Sequence, residues 1–341
     1  MDKPKFPVRQ ALFFVILVIF IYSYVPPRNA SEYLTFKGST MGTFYAVQLL
    51  PPEDKKSYQF QERVDQILVE INRVMSTYIP DSEISRWNKN LTTVDQPVGD
   101  ELLGLVKDSL QYSESTSGTF DITVGTLVNL WGFGPLDTLE RPEGGKLADA
   151  LKSTGYQKLT VGKETLGKAV PEVQIDLSAI AKGYGVDRVG LLLESQGVSH
   201  YLVEIGGEIR SLGLSPSGKE WKVGISKPTA ESASSDLVEV VVLGSGSMAT
   251  SGDYRNFHSD DLGRWSHFID PRNGNPRKSD LLSATILAPN CQMADALATV
   301  AMLLGSKDAV SYLDSRDVSY LLIRGEKDGY DFIRSKNWRS E

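Results

Sequence analysis

A chain of 341 residues with 41% hydrophobic content is long enough to bury a sizeable core, in one large domain or two. Its formal charge of −7, with no dense basic cluster, excludes the counterion-releasing surface that nucleic acid binding requires. The single cysteine, Cys291, cannot close an intramolecular disulfide, and the histidines are too scattered in the sequence to suggest a zinc site.

Lys3, Lys5 and Arg9 precede an uninterrupted apolar run from Ala11 to Val25, closed by Pro26 and Pro27. As a helix this run covers ~22 Å against a hydrocarbon core of ~30 Å, which suits an export signal. No A-x-A spacing and no lipid-accepting cysteine follows it, and Tyr22 and Tyr24 suit an interface belt, which favours an uncleaved anchor. The expected organisation is a basic cytoplasmic N-terminus over 1–10, a signal-anchor or signal peptide over 11–25, and one globular unit over 31–341 beyond the membrane.

Residues 33–50 are rich in β-branched and aromatic side chains around a glycine-marked turn and read as a hairpin. Val64, Ile67, Leu68, Ile71, Val74 and Met75 recur at helical spacing, predicting a helix over 61–75. A loop and short helix follow in "STYIPDSEISRWN", then a helix over 100–117 stopped by Gly118. Gly132 to Gly167, dense in Gly, Pro and charge, reads as a long irregular connection with one short helix. A helix with Ser178 as N-cap should run to Gln196, with Gly197 just past its end. Strand-like runs come next at 200–213 and 236–252, then "WSHFIDPRNG" and "LLSATILAP". Helices over 292–304 and 306–314 and a hairpin within 318–334 close the chain. Helices set among strands joined by tight turns predict an α+β fold with largely antiparallel sheets in one large unit.

Three stretches could carry chemistry. In "IDLSAIAKGYGVD", residues 175–187, Gly183 and Gly185 flank a helical position and weaken the helix by roughly 0.5–1 kcal/mol each relative to alanine. A capped helix packed on a strand explains the serine but not Lys182. An anion at the helix N-terminus, with Lys182 as a further cation, explains both. In "MADALATVAMLLG", Asp295 and Thr299 stand i, i+4 and can offer oxygen to one hard cation such as Mg²⁺, or be a dipole-favoured acid and a back-bonded threonine. In "MATSGDYRNF…WSHFIDPRNG", Asp253 and His267 are candidate acid–base groups, though a lone histidine is commonly a structural hydrogen-bonder.

Taken together and in order, "GSTMGTFY", "MSTYIPDSEISRWN", "GTFDITVGTLVNLWGFG", "IDLSAIAKGYGVDR", "VEIGGEIR", "MATSGDYRNF", "HFIDPRNG" and "ADALATVAMLLG" resemble the FAD:protein FMN transferases of the ApbE type, from about Gly38 to Leu304. The resemblance implies a Mg²⁺-dependent enzyme that splits FAD, attaches FMN through its phosphate to a Thr or Ser hydroxyl of a partner flavoprotein, and releases AMP. By motif it places the metal on the carbonyl of Ala179, on Asp295 and Thr299, and on the carbonyl of Ala298. FAD would touch Met41, Tyr78, Thr119, Phe120, Asp121, Asp176, Lys182 and Ile269, with Tyr78 and Phe120 as ring-packing surfaces and the glycines leaving room for the cofactor. His267 is the expected general base and Asp253 the reserve. Some members have an acid where this chain has Lys182, and many carry a lipid-accepting cysteine that is missing here. The resemblance further implies acceptors such as subunits of Na⁺-translocating NADH:quinone reductase or Rnf-type complexes, and a place on the periplasmic side of a bacterial inner membrane. The competing readings are an FAD pyrophosphatase and a non-catalytic periplasmic flavin-binding protein.

Overall fold

The computed structural model describes residues 32–55, 59–135, 141–229, 236–254, 257–261, 263–326 and 329–341. The apolar run over 11–25 lies outside them, and no described helix is long and apolar enough to cross a membrane.

Strands β1 (Leu34–Thr40) and β2 (Thr43–Leu49) form the expected hairpin. Its two loop residues, Met41 and Gly42, have φ of 50° and 70°, the left-handed pair that a tight turn between right-twisted strands demands. Glycine adopts this freely, whereas Met41 is held there against its steric preference. Helix α1 (Phe60–Met75) buries Phe60, Val64, Leu68, Ile71 and Met75 along one stripe. Helix α2 (Glu83–Lys89) starts at Ser82, whose hydroxyl accepts the Ser85 N–H. Strand β3 (Gln96–Pro97), α3 (Asp100–Ser115) and α4 (Gly125–Leu130) follow.

The stretch expected to be irregular holds α5 (Gly144–Lys152) and then two short strands, β4 (Leu159–Val161) and β5 (Thr165–Lys168), with β5 pairing between β3 and β4 in a small sheet. Strands this short show too little alternation to stand out from a loop. Helix α6 (Ala181–Ser195) begins later than expected: Ile180 is at its N-cap, and no side chain caps it. The Ser178 N–H instead donates to Asp176 Oδ1 at 2.8 Å in a tight turn leading into the helix. Gly197 does lie past the C-terminal end, with φ of 82°.

The remaining elements are β6 (Tyr201–Ile205), β7 (Glu208–Leu212), β8 (Lys222–Ser226), β9 (Leu237–Val242), β10 (Gly246–Gly252), β11 (Phe257–Asp260), β12 (Gly263–Ser266), β13 (Leu281–Ala288), α7 (Cys291–Leu304), α8 (Ser306–Asp314), β14 (Ser319–Glu326) and β15 (Gly329–Arg334). The main sheet runs β1-β2-β6-β7-β10-β13-β14-β15, every neighbouring pair antiparallel, so the predicted α+β class with antiparallel sheets holds. Helix α7 lies against β10 and β13 and is shared between cores. Ala296 and Val300 join the cluster around Ile71, Trp87, Leu102 and Ile175, while Leu297 and Ala301 join that of Ala284, Ile286 and Leu322. A helix buried on so many sides cannot carry an acid without a reason, and α7 carries Asp295, 2% exposed.

Candidate active site

Lys182, in the first turn of α6, is wedged between two buried carboxylates. Its Nζ lies 2.9 Å from Glu208 Oε1 and 3.4 Å from Asp295 Oδ1, with Glu208 3% and Asp295 2% exposed. Glu208 opens β7 directly after the Gly206-Gly207 turn, whose φ of 63° and 108° requires glycine. Burial, then the charge of Asp295, push Glu208 up to about 8 against the pull of Lys182, and burial likewise raises Asp295. Burial opposes the charge on Lys182, but the two acids more than offset it and hold the ammonium above the ordinary lysine range.

Glu208, within "VEIGGEIR", is not among the residues expected at the site. The available signal was an acid at the inward first position of a strand beside a Gly-Gly turn, where alternation calls for an apolar residue.

The glycines around Lys182 have a different purpose from the one expected. A Cβ on Gly183 would meet the Cys291 carbonyl oxygen at 2.3 Å and Asp295 Cβ at 2.8 Å; one on Gly185 would meet Met41 Cε at 2.9 Å. They do not make room for a ligand. They let α6 close on α7 and on the β1–β2 loop, which brings the Gly183 N–H within 2.9 Å of Asp295 Oδ2.

Two clefts, of about 670 and 400 Å³, meet at this cluster and share Val128, Asp176, Ser178, Lys182 and His267 as wall residues. Met41 and Tyr78 lie in the larger arm; Phe120, Asp121, Ala179, Ile269, Asp295 and Thr299 lie in the smaller, together with Glu208. Thr119, Ala298 and Asp253 are not brought to either wall: Thr119 and Ala298 are buried behind it, and the Asp253 carboxylate turns 3.6 Å from the Arg264 guanidinium. A wider groove of about 800 Å³ between β1 and α1 is lined by Glu62, Asp65, Glu70 and Arg73, all of them exposed rather than buried.

Within the clefts the candidate residues differ in what they can offer. Tyr78 is 62% exposed on the wall of the larger cleft, its hydroxyl donating to the Phe133 carbonyl at 2.9 Å. Phe120 lines the smaller cleft but is only 2% exposed, its ring edge-on to Tyr112. The Asp121 carboxylate is committed internally: Oδ1 accepts from Thr123 N–H at 2.8 Å and its hydroxyl at 2.6 Å, and Oδ2 from Tyr156 N–H at 2.6 Å. His267 is half-buried at the junction, its ring 4.1 Å from Phe268 and 6.2 Å from Phe133 between centroids.

A divalent cation fits this donor set. Glu208 Oε2 is buried with no hydrogen-bond partner, an orphaned carboxyl oxygen that a bound cation would satisfy. Asp295, Thr299, Ala179 and Glu208 share one cavity, and every donor atom they offer is oxygen, the chemistry of Mg²⁺. Among the described residues no group of three His, Cys, Asp or Glu could by itself hold a metal, so hydroxyl and carbonyl oxygens must complete the shell.

Comparison with known proteins accords with this geometry. The family model described as the ApbE family matches residues 41–322. The FAD:protein FMN transferase of Vibrio cholerae is 39% identical over 91% of this chain and 92% of its own length, and that of Escherichia coli is 36% identical over 92% and 90%. The solved structure of the flavin transferase ApbE from Vibrio cholerae superposes with a TM-score of 0.82 at 38% identity, covering 89% of this chain and 97% of that one. Over that length and with that site, the chain belongs to the ApbE family.

Proposed function

We propose that this chain is an FAD:protein FMN transferase, and that it joins the FMN phosphate of FAD to a Thr or Ser hydroxyl of an acceptor protein with release of AMP. The observation that carries the reading is the Lys182–Glu208–Asp295 cluster at the junction of two clefts. A dinucleotide has two bulky halves and a doubly anionic link, and this site has two arms with a cation at their meeting point. The exposed Tyr78 ring and Met41 line the arm suited to an aromatic half.

Asp295, Thr299, Ala179 and Glu208 are the residues that would hold Mg²⁺, which when bound screens the charge of the pyrophosphate and of the departing phosphate. Lys182 places its ammonium at the junction, where it orients the pyrophosphate and stabilises the developing negative charge. The acceptor oxygen bonds to the FMN phosphorus as the bond from that phosphorus to the bridging oxygen breaks, the electron pair leaving with AMP. His267 takes the hydroxyl proton. Strand β7 and helices α6 and α7 hold Glu208, Lys182, Asp295 and Thr299 on regular elements, so the chain contributes mainly position and electrostatics.

The test is to incubate the whole chain in detergent with FAD, Mg²⁺ and an acceptor subunit from a Na⁺-translocating NADH:quinone reductase or Rnf-type complex. Flavin fluorescence on the denatured acceptor, with AMP released in equal amount, is the expected result. FMN and AMP without labelled acceptor would reassign the chain as a pyrophosphatase, and FAD bound but intact would make it a flavin-binding protein. The basic N-terminus followed by the apolar run over 11–25 supports an inner-membrane anchor with residues 31–341 in the periplasm. C-terminal reporter fusions active only in the cytoplasm would refute that placement.

A further inference from the structure

Helix α7 carries Asp295 and Thr299, so whatever sets its axial position sets the aim of both. The first amides of a helix lack intrahelical acceptors, yet here each is engaged. Met293 N–H donates to Asn290 Oδ1 at 2.8 Å, a cap from the same chain segment. Cys291 N–H donates to Asp187 Oδ1 at 3.0 Å and Gln292 N–H to Asp187 Oδ2 at 2.8 Å, both to a residue of α6. One turn earlier on α6, Gly183 N–H donates to Asp295 Oδ2 at 2.9 Å. Positions 183 and 187 on α6, and 291 and 295 on α7, are each spaced i, i+4. The two helices therefore hold one another at two rungs, and the missing Cβ of Gly183 allows the approach. Asp187 is 8% exposed and is itself fixed by Arg210, whose Nη1 lies 2.8 Å from Asp187 Oδ1 while Nη2 lies 2.8 Å from Glu194 Oε1.

We propose that Asp187 is a positioning residue for the cation site: by clamping the N-terminus of α7 it fixes the axial register and rotation that point Asp295 and Thr299 into the cleft. The proposal rests on the reading of those two residues as metal donors. A carboxylate is the group suited to the task, because two oxygens accept two adjacent amides at the positive end of the helix dipole with charge-assisted bonds. An amide in its place offers one acceptor and turns a donor toward the second N–H.

The whole chain is compared with Asp187→Asn and Glu194→Gln. Each variant deprives Arg210 of one carboxylate, but only the first breaks the clamp. Mn²⁺ alone is the probe metal, its free concentration read by electron paramagnetic resonance, and amide hydrogen exchange at Gly183 reports the other rung without any metal. Asp187→Asn should bind Mn²⁺ about tenfold more weakly, the usual cost of removing an outer-shell support. It should also exchange the Gly183 amide faster and recover transfer activity at saturating metal. Glu194→Gln should change neither reading, although both variants lose thermal stability. Equal losses in the two variants, or no loss in Asp187→Asn, would overturn the proposal. Should Asp187→Asn fail to fold, Cys291→Pro removes one clamp donor from the other side. Proline suits the first helical position, and Asn290 before it is already extended, with φ of −138° and ψ of 158°. Unchanged Mn²⁺ binding and Gly183 exchange in that variant would equally refute the clamp. If the parent chain binds no Mn²⁺, the metal reading fails, and Gly183 exchange alone decides the clamp.

Discussion

The substitution Gly183→Ala isolates the close approach on which the site is built. The added Cβ would sit 2.3 Å from the Cys291 carbonyl oxygen and 2.8 Å from Asp295 Cβ, against ordinary contact of 3.4 Å or more. The first obstacle is backbone, so it cannot rotate away, and α6 and α7 must part by about 1 Å. Overpacking of this kind costs about 1–3 kcal/mol, while alanine regains about 0.5–1 kcal/mol of helix propensity, leaving a net loss of up to about 2.5 kcal/mol. The same 1 Å takes the Gly183 N–H out of hydrogen-bond range of Asp295 Oδ2, and a displacement of that size at a reacting centre can lower turnover by about 10²-fold. Gly185→Ala is the control. Its Cβ meets side-chain ends rather than backbone, Met41 Cε at 2.9 Å and Ile205 Cδ1 at 3.4 Å, so it should be near neutral in stability. Urea unfolding followed by tryptophan fluorescence, beside the flavin-transfer rate at saturating Mg²⁺, reads both effects. If Gly183→Ala matches the parent in stability and rate, or if the two alanine variants behave alike, the helix-contact argument is wrong.

Three further outcomes are expected. Asp295→Ala should lower transfer by at least about 10²-fold and Thr299→Val should raise the Mg²⁺ needed for half-maximal rate by about tenfold; wild-type Mg²⁺ titrations would remove both residues from the site. His267→Asn should keep FAD affinity but slow single-turnover transfer by about 10²–10⁴-fold, and a drop of less than tenfold would leave the proton to another acceptor. Lys168 is 2% exposed, its ammonium donating to the Val173 carbonyl at 3.1 Å, and burial lowers its pKa from 10.5 to about 8. Between those values the unfolded chain holds a proton that the folded chain has shed. The destabilisation from this residue is therefore complete below the folded value and is relieved as pH rises toward the unfolded one. The unfolding free energy of the parent should gain on that of Lys168→Met between pH 7 and about 10 in urea titrations; a difference independent of pH would contradict the shift.

Much of the architecture is legible in the residues alone, because it rests on local rules. The stripe from Phe60 to Met75, the Gly118 and Gly305 stops and the Met41-Gly42 hairpin loop all follow from periodicity and turn chemistry within a few residues. So does the α+β class, since strands joined by short turns can only pair antiparallel. The candidate donors Asp295 and Thr299 were readable for the same reason: one helix fixes their spacing and common face. What the residues alone could not decide was anything that depends on two distant segments meeting. The start of α6 is the local exception: it moved past Ser178 because the Asp176 carboxylate, two residues earlier, engages the Ser178 N–H. Phe120 keeps only 2% of its surface exposed at the cleft, with Tyr112 of the preceding helix packed edge-on against it. Asp121 stays on the cleft wall but its carboxylate is engaged by Thr123 and Tyr156, and Asp253 is drawn away to Arg264. Glu208 emerged as a site residue only when the sheet carried β7 beneath the first turn of α6, 26 residues earlier in the chain, and gave its Oε1 to Lys182. The two glycines beside Lys182 show the division most plainly: their presence and cost are written in the sequence, but their purpose, the closure of α6 on the Cys291 carbonyl and on Met41, exists only where the helices and the hairpin loop touch.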